Sequence, residues 1–295
     1  SQLANSILRM QDPSMREEYL ATAKTKPSIL LKGDTPRLID EWQDAPMLWD
    51  AVRTTVDDRQ IPGQFILTGS NAVDKSQIHH SGAGRIARLR MLPMSLWESQ
   101  ESTGEVSLKE LFNNPDYDID GKMSKMTVED LIFAASRGGW PASLLARTPK
   151  AQLLVAKNYV QTICSDDVSG IDGKKRDAKL TSMILRAYAR NVSTLVKKKS
   201  LLDDVTSSGE VSCHVDTFDD YVSALEKLFV IQNISAWCPA IRSKTAIRSS
   251  VKRCFCDPSI PIALLGLSPE SLSMQLRTFG FIFEQYEERF EAEKK

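Results

Sequence analysis

The run Arg37-Leu38-Ile39-Asp40-Glu41-Trp42-Gln43 sets two adjacent carboxylates directly after a short apolar stretch. A strand ending this way can offer one acid, Asp40, to Mg2+ and the next, Glu41, to a water that must lose a proton. Neighbouring side chains on a strand point to opposite faces, but at a strand's end both acids can fan toward one phosphate. A second apolar run, Phe65-Ile66-Leu67, closes in Thr68, Gly69 and Ser70. A hydroxyl both donates and accepts. Ser70, with Thr68 as its substitute, therefore suits a group that holds an attacking water or reads a terminal phosphate, and equally suits capping of the next turn.

These residues need elements to position them. Leu3, Ala4, Ile7, Leu8 and Met10 have near-helical spacing, so the chain is expected to open in a helix. A second helix is expected over 16–23, where acidic residues suit the helix start. Leu48, Trp49, Val52 and Val56 mark one face of an amphipathic helix over 45–59. Residues 85–99 read as a third strand-like stretch entering a helix near Pro93. Continuous apolar strands alternating with a helix argue for a parallel sheet covered on both faces, with chemistry at the carboxyl ends of its strands. From about residue 107 the pattern turns mostly helical, including a long helix over 150–169 and an apolar stripe of Leu180, Ile184, Leu185, Tyr188 and Ala189. Two short alternating stretches close this region as paired strands. Three helices followed by a two-stranded ribbon is the order of a winged helix-turn-helix.

"RLIDEWQDAP" resembles a Walker B motif. Followed by "GQFILTGSNA" and "SGAGRIARLRMLPMSLWES", it resembles a prokaryotic AAA-like P-loop ATPase family that carries a C-terminal domain of unknown function. "RGGWPASL", "YVSALEKLFVI", "KRCFCDPSI" and "FGFIFE" extend the resemblance over nearly the whole chain. It implies an α/β P-loop NTPase core of parallel-sheet type over 1–145, a mostly helical, winged-helix-like domain over 146–270, and the start of a nuclease-like C-terminal module over 271–295. It implies ATP and Mg2+ as cofactors. Asp40 would take the metal, Glu41 the general-base role and Ser70 the sensor role, with Thr68 beside the nucleotide. Arg85 would stabilise transition-state charge in cis or on a neighbouring subunit of a homo-oligomer. An ordinary salt bridge is the other reading of Arg85.

One part of the pattern is missing. A phosphate-binding loop needs G-x-x-x-x-G-K-S/T. Gly121-Lys122 is followed by Met and Gly173-Lys174 by Lys, with no glycine at the required earlier position. An N-terminally truncated chain is the first account of this and natural loss the second. Either way, ATP binding by this chain is expected to be weak, with hydrolysis belonging to the intact protein. No nuclease activity is expected, because Glu284 lacks the further ligands that metal-dependent cleavage uses.

Composition bounds the alternatives. Lys+Arg 38 balances Asp+Glu 38, which excludes a globally basic nucleic-acid binder but not a local basic patch. Residues 174–199 hold nine Lys/Arg against Asp177 alone, and 241–253 hold five with no acid. The helix in the recognition position carries Asp216, Asp219, Asp220 and Glu226, which phosphates repel. Backbone contact with DNA, or a protein interface, is the non-enzymatic alternative. The 5 cysteines are too scattered for a disulfide framework, and His79 and His80 lack a third metal ligand nearby. With no secretory signal or membrane-spanning run, a cytoplasmic protein is expected.

Overall fold

Residues 7–10 alternate between outside and inside. Leu8 and Met10 are buried, whereas Ile7 and Arg9 face out. That period of two belongs to a strand. In the computed structural model the stretch expected as a helix is β1 (Ser6–Arg9). The neighbour decides it: β1 pairs in parallel with β2 (Arg37–Asp40), Ser6 opposite Arg37 through Arg9 opposite Asp40. Sheet pairing outweighs the modest helix propensity of four residues. The structure describes residues 3–70, 78–114, 116–207, 209–235 and 250–292, with side chains through 284.

The chain divides into two compact units, Ser1–Met91 and Leu92–Lys295. In the first, α1 (Arg16–Thr25) follows β1, and α2 (Met47–Arg59) lies between β2 and β3 (Phe65–Thr68). The three strands are parallel in the order β1-β2-β3. Leu48 and Val52 of α2 share a buried cluster with Leu8, Met10 and Ile39, with Val56 packed at the edge and Trp49 buried against Trp42. The central strand β2 buries Leu38 and Ile39, whereas every residue of β3 stays half-buried. Residues 86–90, expected as strand, form no regular element, and Leu89 is 90% exposed. No strand pairs with them among the described residues, so their apolar alternation has no sheet to enter.

The second unit is helical around one core. α3 (Leu108–Asn113) precedes α4 (Val128–Arg137), which starts in a Thr127/Asp130 capping box. Next come α5 (Pro141–Leu145) and α6 (Pro149–Thr162). The long helix expected to 169 passes through a π turn at Ile163–Asp167 into the short α7 (Val168–Gly170). α8 (Ala178–Arg190) buries Leu180, Ile184, Leu185, Tyr188 and Ala189, its apolar stripe. α9 (Lys198–Thr206) and α10 (Val215–Lys227) precede the antiparallel pair β4 (Ile231–Ile234) and β5 (Lys252–Phe255). Ser193 N donates to Arg253 O at 2.7 Å and Arg253 N to Thr194 O at 3.0 Å, so the link between α8 and α9 borders the free side of β5. α11 (Ser259–Leu264), α12 (Pro269–Ser273) and α13 (Leu276–Ala292) complete the unit. Phe279 and Ile282 of α13 belong to the same core, and Glu284 pairs with Lys252 of β5.

Candidate functional site at the strand ends

β2 and β3 run side by side with Asp40 opposite Thr68. Both strands therefore deliver their last polar residues to one end of the sheet. The Thr68 hydroxyl donates to Asp40 Oδ1 at 2.7 Å, tying the two ends together. Glu41 does not continue the strand. Its φ of 56° and ψ of 43° lie in the left-handed region, and a 3-10 turn over Trp42–Asp44 follows. A non-glycine residue there costs about 1–2 kcal/mol. The turn breaks the alternation that would send Glu41 away from Asp40, and brings its carboxylate to Ser70, whose hydroxyl lies 3.3 Å from Glu41 Oε2. Asp40, Glu41, Thr68 and Ser70, picked from two separate stretches of sequence, thus share one end of the sheet.

Arg85 stands apart from them. Its Nε donates to Asp57 Oδ1 at 2.8 Å near the end of α2, and it makes no hydrogen bond to the strand-end residues. That hydrogen bond lowers the Asp57 carboxyl below its ordinary range and raises the arginine. Arg85 thus makes a salt bridge to Asp57, as one of its two sequence readings expects. His79 and His80 serve through their backbones: His79 N donates to Asp50, and His80 O accepts from the Trp49 indole.

Sequence reasoning passed over Gln43. Its Nε2 donates to Glu41 Oε2 and, at 3.3 Å, to Ser70 Oγ. The signal was present as a glutamine two residues after Glu41, but nothing in the sequence says that the intervening turn folds it back.

The strand-end donors are hard oxygens. Asp40 keeps Oδ2, and Glu41 keeps Oε1, outside the hydrogen bonds described. That set fits a hydrated Mg2+, which is commonly held by one or two carboxylates with water completing its shell. It does not by itself fit a triphosphate. Around Asp40 and Glu41 lie two hydroxyls and one amide, and the arginine expected to serve the nucleotide, Arg85, is bonded to Asp57. In the second unit, a cavity of about 50 Å³ lined by Leu153, Lys157, Ile262 and Leu267 is far smaller than the roughly 300 Å³ at which ligand pockets begin.

Electrostatics in the second unit revise the basic run. Lys174, Arg176, Lys179, Arg190 and Lys198 pair with Asp220, Asp172 and Asp220, Glu210, Asp204 and Asp219 respectively. Lys175, Arg186, Lys197 and Lys199 make no ion pair among the described residues. Most of the second basic run, over 241–253, lies outside the described residues.

With this geometry in hand, comparison with known families gives two successive matches along the chain. Residues 3–100 match the family model of an AAA domain, so this part of the chain is an AAA-like, ATPase-type region. Residues 128–271 match a domain of unknown function, DUF8612. No curated protein and no solved structure matches the chain. No helix among the described residues is long and apolar enough to cross a membrane.

Proposed function

We propose that the strand ends of the first unit form the metal-and-water side of an AAA-type ATP-hydrolysing centre. The observation that carries this reading is the meeting of Asp40, Glu41, Thr68 and Ser70 at the carboxyl ends of two adjacent parallel strands, where ligands of open α/β sheets bind. In this reading β2 is the Walker B strand. Asp40 holds Mg2+, with Thr68 fixing its carboxylate. Glu41 takes the proton of the attacking water, and Ser70 senses the terminal phosphate. Bound ATP and Mg2+ would supply the scissile phosphoryl group and its charge neutralisation. Arg85 has no part in this reading. The phosphate cradle is absent from the sequence, and each charge-assisted contact it would make is worth about 1.5–3 kcal/mol. Calorimetric titration of ATP with Mg2+ into this chain should therefore give no saturable heat in the micromolar range. Micromolar affinity would show that the described donors suffice and would overturn this division of labour.

A second reading concerns the second unit. Three helices, an antiparallel pair and a strand-like bond from the α8–α9 link to β5 support a winged-helix-like arrangement. Lysines and Arg176 engage Asp219 and Asp220 of α10, which softens the repulsion expected from that helix. In this reading Lys175, Arg186, Lys197 and Lys199 meet a DNA backbone. A gel shift with duplex DNA that weakens steeply with salt supports it; no shift at low salt removes it.

A further inference from the structure

Gln43 adds a second link between Glu41 and Ser70, beside their direct contact. Its side-chain nitrogen carries two protons, and two acceptors take them: Glu41 Oε2 and Ser70 Oγ. The amide's orientation is fixed by chemistry, because turning Oε1 toward Glu41 would set acceptor against acceptor. Oε1 instead lies shielded from solvent, accepts no hydrogen bond, and rests over Gly69. A Cβ on Gly69 would stand 2.3 Å from it, so the absent side chain at 69 is what lets the amide lie there. The donor is also uncharged. A lysine or arginine in this place would neutralise Glu41, whereas an amide orients the carboxylate and leaves its charge for a metal-bound water.

We propose that Gln43 is a positioning residue that holds Glu41 and Ser70 in register, with Gly69 as the floor on which its amide rests. This rests on the reading of Asp40 and Glu41 as the metal-and-water side of the site. In that reading Glu41 would act on the metal through its bound water, and groups one step out from a metal typically shift its affinity by about 10- to 100-fold.

Mn2+ alone is the probe, with free Mn2+ followed by electron paramagnetic resonance in the full chain and melting midpoints recorded alongside. Glu41→Gln, Gln43→Leu and Gly69→Ala should each weaken Mn2+ binding roughly tenfold, with melting midpoints close to the parent's. Gly69→Ala matters because it dislodges the amide without removing any polar group, and the atom it meets is the end of a flexible side chain. If Glu41→Gln weakens binding while Gln43→Leu and Gly69→Ala bind as the parent does, the positioning role is wrong and the metal reading stands. If the parent takes up no Mn2+, or Glu41→Gln binds it unchanged, the metal reading fails and takes the Gln43 role with it.

Discussion

Glu41 is held where a glutamate would not settle by itself. Left-handed backbone at a non-glycine residue persists when its surroundings over-determine it, and such residues cluster at functional sites. Here the surroundings are β2 before it, the 3-10 turn after it and the Gln43 amide beside it. The strain can be isolated by comparing two variants that both lack the carboxylate. Glu41→Gly should be more stable than Glu41→Ala by about 1 kcal/mol in urea denaturation, because only glycine enters that region without a Cβ penalty. Equal stability would mean that the turn stores no strain.

At the scale of elements, the sequence was readable where one face or one run sufficed. The β2 and β3 strands announced themselves through Leu38-Ile39 and Phe65-Ile66-Leu67, and α8 through its apolar stripe. β1 did not, because four residues carry too few periods to separate strand from helix until a partner strand is known. Residues 86–90 misled for the opposite reason: the alternation was present, but no strand among the described residues pairs with it. Long-range polar contacts were beyond reach altogether. Asp257 accepts from Gly139 N at 2.9 Å across 118 positions, and the Trp140 indole donates to Ser259. Gly138, at φ 76°, leaves no room there for a Cβ, which would meet Asp257, Ser259 and Trp140 within 2.6 Å.

Element packing also sets a pH dependence. The Arg176 guanidinium, almost fully buried, bonds both oxygens of Asp172 and one of Asp220 while also donating to Val168 O. Its hydrogen bonds pull the Asp172 carboxyl down to about 2. Burial of Asp220 opposes its ionisation, yet hydrogen bonds from Lys174 and Arg176 still hold it below the ordinary range. Carboxyls lowered in the folded state add stability above the ordinary carboxylate range, and that stability is lost as pH falls toward the folded value. The urea midpoint should therefore drop between about pH 4 and 2. Arg176→Met should lower stability at neutral pH by about 3 kcal/mol and flatten that acid slope. Parallel profiles for the two proteins would assign the slope elsewhere.

At the scale of the whole molecule, the chain has two compact units and two family matches, an AAA domain over 3–100 that runs past the unit boundary at Met91 and a domain of unknown function over 128–271. The first unit brings two carboxylates and two hydroxyls to one end of its sheet, the group that the proposed reading assigns to a metal and its water. The second spends most of its basic run on its own acids. The account therefore stands on the cation at the strand ends, and iron-directed cleavage tests that cation most directly. Fe2+ takes the place of Mg2+ in the full chain, and ascorbate with peroxide generates radicals that cut only the nearby backbone. The account predicts cuts around residues 40–41 and 68–70, lost in Asp40→Asn and suppressed by excess Mg2+. Cuts elsewhere, or cuts at these positions that survive Asp40→Asn, would contradict it.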